Sequence, residues 1–134
     1  MAKGVVLVVD GEPDLVEMMK LSLQKAGYEV LTASNGFEAI GAARAEEPDI
    51  VILDALLPGK NGYEVSKLLR KDQVDGCIGK QLKIIMLTAI KPDSHRDAQL
   101  SATWARADEY LYKPFEMKEL ISLVEKHVPA VESG

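Results

Sequence analysis

Three continuous apolar stretches constrain the fold of this chain more than any other feature of its sequence. They cover residues 5–9 (VVLVV), 50–53 (IVIL) and 84–87 (IIML), and each contains β-branched side chains. An apolar run without alternation indicates a strand that is covered on both faces, as in a parallel sheet. Two weaker runs, residues 29–33 and 110–112, complete a set of five predicted strands, and the more polar run at 29–33 suits an edge of the sheet.

Helical periodicity fills the intervals between these strands. Apolar residues recur at helical spacing from Pro13 to a stop at Gly27, from residue 37 to Pro48, around 65–69, across 94–105, and from 117 to Pro129. The fivefold alternation of strand and helix predicts a parallel sheet with helices on both faces. The connections at 71–81 and 89–94 are long, and we expect them to be surface loops.

Length and composition agree with one globular domain, predicted here as residues 1–128, with 129–134 as a C-terminal tail or linker. The net charge of −5 argues against a direct nucleic-acid-binding function. We expect a cytoplasmic protein without membrane insertion, because no apolar run approaches the roughly 20 residues of a membrane span and the start does not resemble a secretory signal. Cys77 is the only cysteine, which excludes an internal disulfide, and the sequence shows no internal repeat.

Polar residues of complementary chemistry close four of the five strands. The first strand ends in Asp10, the third in Asp54, the fourth in Thr88 and the fifth in Lys113. In open α/β sheets, ligands bind beyond the carboxyl ends of the strands. One polar residue there marks only where a strand meets water, but two carboxylates, a hydroxyl and an ammonium together suit a divalent cation and a phosphoryl group. An aspartate in such a site can form an aspartyl phosphate.

Four segments, in order and at suitable spacing, resemble the receiver domain of two-component response regulators. They are VLVVDGEPDL (6–15), PDIVILDALLPGKNGYEV (48–65), IIMLTA (84–89) and DEYLYKPF (108–115), so the resemblance extends from about residue 5 to 128. It implies a CheY-like, flavodoxin-like (βα)5 fold with strand order 2-1-3-4-5 and five helices. It also implies a phosphoacceptor function in phosphorelay signalling, with a histidine kinase or a histidine phosphotransfer protein as the partner.

The resemblance also implies a role for each matching residue. The expected phosphoacceptor is Asp54, and the expected Mg²⁺ ligands are Asp10, Asp54 and the backbone carbonyl of Leu56. The remaining matches are Thr88 and Lys113 beside the phosphoryl group, Tyr110 as the switch aromatic, Pro114 after a cis bond, and Pro58 and Gly62 in the turn after the third strand. Such a domain is not an enzyme, although it would promote its own Mg²⁺-dependent phosphorylation. The face built from the fourth helix, the fifth strand and the fifth helix would change on phosphorylation, and it could support a homodimer.

The chain departs from the family at the end of the first strand. Gly11 stands where the family has a second acidic residue, which commonly binds the metal directly. Three compensations remain open: Glu12 reaches the ion, Asp10 binds it directly, or a water fills the gap. We therefore expect weakened Mg²⁺ binding. The alternative is a pseudo-receiver, an interaction domain that works without phosphorylation.

A second departure concerns the predicted fourth helix. Arg106 replaces a glycine that is frequent in the family, which indicates an altered end to this helix. Trp104 and Tyr110 nearby are candidate interface anchors, although general burial tendencies favour Trp104 as a residue that covers the core. We expect His95 and His127 to be solvated surface residues rather than phosphoacceptors.

Two classes of enzyme fit the sequence poorly. A dinucleotide-binding oxidoreductase needs a glycine-rich turn after the first strand, whereas this chain has Gly11-Glu12-Pro13-Asp14, whose carboxylates would repel pyrophosphate. A haloacid dehalogenase-type phosphohydrolase has the pattern Asp-x-Asp-Gly, and here Val8 occupies the position of its first aspartate.

Overall fold

A computed structural model describes residues 4–57, 61–79, 82–88 and 107–128. Its sheet consists of β1 (Val5–Val9), β2 (Glu29–Ala33), β3 (Ile50–Asp54), β4 (Lys83–Thr88) and β5 (Glu109–Tyr112). The strands pair in the order β2-β1-β3-β4-β5, and every pair is parallel. The predicted strand order and flavodoxin-like α/β fold are therefore confirmed, with the polar strand β2 at an edge.

Four helices lie in the described part of the chain: α1 (Pro13–Lys25), α2 (Gly36–Glu46), α3 (Gly62–Asp75) and α4 (Met117–His127). The helix predicted at 94–105 lies outside the described residues, so α4 is the predicted fifth helix. The predictions for Pro58, His95, Trp104 and Arg106 also fall outside them, as does the tail at 129–134. The loop predicted at 71–81 starts too early, because α3 continues to Asp75 and ends at Gly76 in the left-handed conformation, with φ 84°.

Two apolar layers cover the two faces of the sheet. Val6 and Val8 of β1 face one layer with α1 and α4, whereas Leu7 and Val9 face the other with α2 and α3. Successive side chains of a strand point to opposite faces, so a strand buried on both sides has no polar position. The continuous apolar runs of the sequence follow from this arrangement.

Asparagine side chains cap α2 and α3 in the same way. The Oδ1 atoms of Asn35 and Asn61 each accept a 2.9 Å hydrogen bond, from the N–H groups of Glu38 and Glu64 respectively. Both glutamates in turn accept from the Nδ2 group of their asparagine. The underlying motif, Asn-Gly-aromatic-Glu, occurs at residues 35–38 and 61–64, so the same local signal starts both helices.

His127 is not the solvated residue predicted from the sequence. It lies half-buried at the end of α4, with Nε2 3.0 Å from Oε1 of Glu109, the first residue of β5. The same carboxylate oxygen accepts a 2.7 Å hydrogen bond from Lys126 Nζ. The hydrogen bonds from Lys126 and His127 lower the pKa of Glu109. The sequence could not indicate this contact, because it depends on the packing of α4 beside β5.

Each helix in the described part of the chain is too short or too polar to cross a bilayer.

Candidate functional site

The strand register brings the predicted site residues to one edge of the sheet. Val9 pairs with Leu53, so the residues that follow them, Asp10 and Asp54, end neighbouring strands. Thr88 ends β4 and pairs with Tyr112, directly before Lys113. The N–H of Lys113 donates to the carbonyl of Thr88 at 2.8 Å, which holds the end of β5 against β4.

Lys113 lies among three carboxylates. Its Nζ atom is 3.1 Å from Oδ2 of Asp10, 3.6 Å from Oδ2 of Asp54 and 3.7 Å from Oε1 of Glu12. Asp10 is only 1% exposed and Asp54 is also buried, whereas the Glu12 side chain is 70% exposed. Since buried carboxylates need compensation, the ammonium group is what allows two of them to lie at this edge. The Lys113–Pro114 peptide bond is cis, as the resemblance implied.

Backbone N–H groups orient both buried carboxylates. Oδ1 of Asp10 accepts from the N–H of Glu12 at 2.9 Å, and Oδ1 of Asp54 accepts from the N–H of Leu56 at 3.2 Å. The Oδ2 atom of each carboxylate is the one nearer Lys113. Each carboxylate is thus held at one oxygen by its own turn and shares the other with the ammonium group.

Opposing effects of burial and of neighbouring charges set the pKa values of Asp54 and Lys113. Burial and the negative charge of Asp10 raise the pKa of Asp54, against the Leu56 N–H group and Lys113, which lower it. Burial lowers the pKa of Lys113, but its hydrogen bond to Asp10 and the charges of Asp10, Asp54 and Glu12 outweigh burial, so this pKa lies above its ordinary value. Repulsion between the two aspartates is therefore only partly relieved, which favours a further cation at the site.

A cleft of about 440 Å³ opens beside Asp54. It is lined by Gly11, Glu12, Asp54, Leu56, Leu57, Asn61 and Lys113. The Leu56 residue is 68% exposed, so an apolar side chain stands at a polar site. Sequence reasoning missed Asn61, although the repeated Asn-Gly-aromatic-Glu motif marks it as the residue that starts α3 beside this cleft.

Gly62 is the first residue of α3 and lies against the end of β3. A Cβ atom there would be 2.2 Å from the carbonyl oxygen of Asp54, and the N–H of Gly62 donates to the carbonyl of Ala55 at 2.9 Å. Contact this close leaves no room for a side chain. The structure therefore gives a steric reason for glycine at a position that sequence reasoning treated only as part of a turn.

Thr88 and Tyr110 lie on β4 and β5 respectively. Thr88 is buried at the end of β4. Tyr110 is half-buried and packs, together with Tyr63 and Ala107, against the apolar layer that holds α2 and α3. Burial and the nearby Tyr63 raise the pKa of Tyr110 to about 12. In this structure the Tyr110 ring is thus part of a packed layer rather than a free surface side chain.

The donor set at the edge fits Mg²⁺. Among the residues that the structure describes, no group of three or more acidic, histidine or cysteine side chains is arranged to hold a metal. Mg²⁺ does not need such a cage, because it binds through one or two carboxylates and keeps several waters. Asp10 and Asp54 offer two carboxylates at this edge, and Leu56 lies in the lining of the cleft.

Comparison with known families decides the family of this chain. The model of the response regulator receiver domain matches residues 6–125, which is most of the sequence. The chain belongs to the response regulator receiver domain family. Receiver domains of this family act in two-component signalling, where they interact with histidine kinases or phosphotransfer proteins.

Solved structures of other receiver proteins resemble this receiver domain over nearly their whole length. A Chloroflexus aurantiacus J-10-fl protein, classed as a response regulator, shares 36% identity at a TM-score of 0.79, with 93% of this chain and 97% of that chain covered. Vibrio cholerae chemotaxis protein CheY4 shares 29% identity at a TM-score of 0.80, with 95% and 98% covered.

A third structure shares the fold at lower identity. It is the receiver domain of the sensor histidine kinase PA1611 from Pseudomonas aeruginosa PAO1, with 24% identity, a TM-score of 0.78, and 95% and 98% of the two chains covered. That domain holds a magnesium ion in its active site cleft.

Proposed function

We propose that this receiver domain accepts a phosphoryl group on Asp54 from a histidine kinase or a histidine phosphotransfer protein. The observation that carries the proposal is the position of Lys113, whose ammonium lies 3.1 Å from Asp10 and 3.6 Å from Asp54 beside an open cleft. An ammonium beside a reactive carboxylate stabilises the negative charge of a phosphoryl group during transfer.

The reaction would be an in-line displacement at phosphorus. An oxygen of ionised Asp54 forms a bond to phosphorus, while the bond between phosphorus and the donor's imidazole nitrogen breaks. The nitrogen keeps the electron pair, so the histidine is regenerated and Asp54 becomes an acyl phosphate. Lys113 would then pair with the oxygens of the phosphoryl group instead of those of Asp54.

Asp10, Asp54 and the backbone carbonyl of Leu56 are the residues that would hold Mg²⁺. When bound, the ion neutralises negative charge on the carboxylates and on the incoming phosphoryl oxygens. Burial and the charge of Asp10 raise the pKa of Asp54, which supports this assignment because a divalent cation would offset both effects. The magnesium-containing receiver domain of PA1611 shares the fold at 24% identity, and the support for Mg²⁺ in this chain comes from its own donor residues.

Thr88 and Tyr110 would carry the signal away from Asp54. Thr88 ends the strand next to β3, where its hydroxyl can turn towards phosphoryl oxygens. Tyr110 lies on the adjacent strand and would move into the space that Thr88 vacates. Such a movement biases an equilibrium between two surface states that already exists in the unphosphorylated domain. The output face would include β5 and α4, and the homodimer through this face stays a prediction.

The chain would act as a phosphoacceptor and not as an enzyme with turnover on a separate substrate. It would nevertheless assist its own phosphorylation, because Lys113 and the metal site stabilise the transferred group. The competing function is a pseudo-receiver, which Gly11 supports because it removes an acidic residue from the metal site.

Phosphorylation of the intact chain tests these two functions directly. The protein is incubated with Mg²⁺ and a small acyl phosphate donor, and its intact mass is measured. We expect a gain of one phosphoryl group that disappears in Asp54→Asn and when the metal is chelated. Asp75→Asn is a matched control, because Asp75 is exposed at the far end of α3.

A mass gain that persists in Asp54→Asn would show that a residue other than Asp54 accepts the phosphoryl group. No gain at any Mg²⁺ concentration, in a protein that folds normally, would establish the pseudo-receiver.

A further inference from the structure

Glu12 occupies the N-cap position of α1 without capping the helix. Its side chain makes no hydrogen bond to the first turn, although Ser, Thr, Asp and Asn at this position usually make one. The N-cap of α4 is also a glutamate, Glu116, and there the N–H group of the N-cap residue donates to Oε1 of Glu119 at 3.3 Å. The Glu12 side chain is therefore oriented by something other than its own helix.

The Glu12 carboxylate faces the phosphoacceptor cleft instead. It lines this cleft together with Gly11 and Asp54, and its Oε1 atom lies 3.7 Å from Lys113 Nζ. The hydrogen bond from its own N–H group to Oδ1 of Asp10 fixes the turn that directs it there. The Glu12 side chain thus makes no capping hydrogen bond to α1, and its charge lies beside Lys113 at the site.

We infer that Glu12 replaces the charge that Gly11 removes, and that it strengthens Mg²⁺ binding from outside the set of direct ligands. This inference rests on the proposed function of the site. Because its side chain is 70% exposed and its Oε1 atom lies 3.7 Å from Lys113 Nζ, we assign Glu12 a role through its charge and through Lys113 rather than as a third ligand. Glu12 then keeps a negative charge beside Lys113 at a site where Gly11 supplies none.

Two physical consequences separate this role from a structural one. A residue just outside the ligand set changes metal affinity by about tenfold or more when it is removed. A charge that is 70% exposed acts largely through water, so salt screens it, whereas a buried direct ligand is much less affected. The contribution of Glu12 should therefore fade as ionic strength rises, while that of Asp10 should persist.

The experiment measures the affinity of the intact, chelator-treated chain for Mg²⁺ alone by isothermal titration calorimetry, at low and at high KCl. Glu12→Gln should weaken binding by about tenfold at low salt and by clearly less at high salt. Glu17→Gln is the matched control, because it removes an equal charge from an exposed position on the same helix, and it should leave the affinity nearly unchanged.

Two further variants distinguish charge from shape. Gly11→Asp in the Glu12→Gln background should restore the affinity, because it returns an acid to the family position. Glu12→Asn should raise the urea midpoint of unfolding by capping α1, yet weaken Mg²⁺ binding. A residue with only a structural role would not produce these opposite effects.

The outcomes are separable. Wild-type affinity in Glu12→Gln, with binding abolished in Asp10→Asn, would overturn the inference and leave the proposed site intact. A wild-type chain that binds no Mg²⁺, or Asp10→Asn that binds it normally, would overturn the metal site on which the inference rests.

Discussion

At the scale of single residues, the free energy of this site is dominated by two buried carboxylates that share one ammonium. Burial and the negative charge of Asp10 raise the pKa of Asp54, even though Lys113 Nζ lies 3.1 Å from Asp10 and 3.6 Å from Asp54. A carboxylate kept ionised in this position costs free energy of folding. Reactivity and stability are therefore opposed at Asp54.

The first prediction concerns the charge of Asp54. Because its folded pKa is raised, the folded state holds the proton more tightly than the unfolded state does. The stability of the protein should therefore fall as pH rises from the ordinary value of 3.8 through the raised one, and the cost is complete above it. Asp54→Asn removes this cost, so we expect a higher urea midpoint at pH 7.

The pH dependence provides the check on this prediction. The advantage of Asp54→Asn should vanish below pH 3.8, where both states of the wild type are protonated. A variant less stable than the wild type at neutral pH would contradict the assignment of strain to the ionised carboxylate.

The second prediction is that replacing Lys113 separates phosphorylation of Asp54 from the conformational change that follows it. Lys113→Ala keeps the Asp54 nucleophile, so intact mass should still show phosphorylation, but more slowly because the ammonium that stabilises the transferred group is gone. The variant lacks the group that links the phosphoryl oxygens to β5, so amide hydrogen exchange across residues 107–112 should no longer change on phosphorylation. Wild-type exchange changes in phosphorylated Lys113→Ala would contradict this coupling.

At the scale of elements, the end of β3 and the start of α3 form one unit. Gly62 lets the helix begin directly against the carbonyl of Asp54, and Asn61 caps it with a 2.9 Å hydrogen bond to the N–H of Glu64. The position of Asp54 therefore depends on the helix that follows it as well as on its own strand.

Glycine replacements in two helices test this dependence. Gly62→Ala would place a methyl group 2.2 Å from the Asp54 carbonyl oxygen, so α3 must move, and we expect a loss of about 2–4 kcal/mol in the free energy of unfolding. Gly41→Ala in α2 meets no atom within 4 Å and should instead stabilise the protein by about 0.5–1 kcal/mol.

Urea denaturation measures both effects, and intact mass reports whether Gly62→Ala still accepts a phosphoryl group. Equal effects of the two replacements would show that the contact at Gly62 is unimportant.

At the scale of the whole molecule, metal binding and folding are linked. Mg²⁺ that binds only the folded state stabilises it by about 1.4 kcal/mol at ten times its Kd. We expect thermal unfolding to shift upward by a few degrees with Mg²⁺. The shift should shrink as pH falls, because a proton on Asp54 competes with the ion. An equal shift in Asp10→Asn would contradict binding at this edge.

Most of the architecture could be predicted from the sequence because it depends on local patterns. Continuous apolar runs mark strands buried on both faces, and β1 and β2 have the bounds expected for them. Strand order came from family resemblance, since apolar periodicity alone does not specify which strands pair. The predicted loop at 71–81 starts too early, because the polar residues 71–75 continue α3 to its C-cap at Gly76.

The site was harder to predict than the fold, because its geometry depends on contacts between distant segments. The identities of Asp10, Asp54, Thr88 and Lys113 could be read from the ends of strands. The half-burial of His127 against Glu109 and the close approach of Gly62 to Asp54 could not, because both arise where separate elements pack.

The two apolar layers lie on opposite faces of the sheet and contain different helices. Tyr63 and Tyr110 pack with α2 and α3 on one side, whereas α1 and α4 pack on the other. During evolution, each flank can therefore accumulate substitutions at its own pace while the reactive edge between them is preserved. Substitutions on one face can therefore change which partner binds there without altering the other face. In this way the same reactive site can be used with different binding partners.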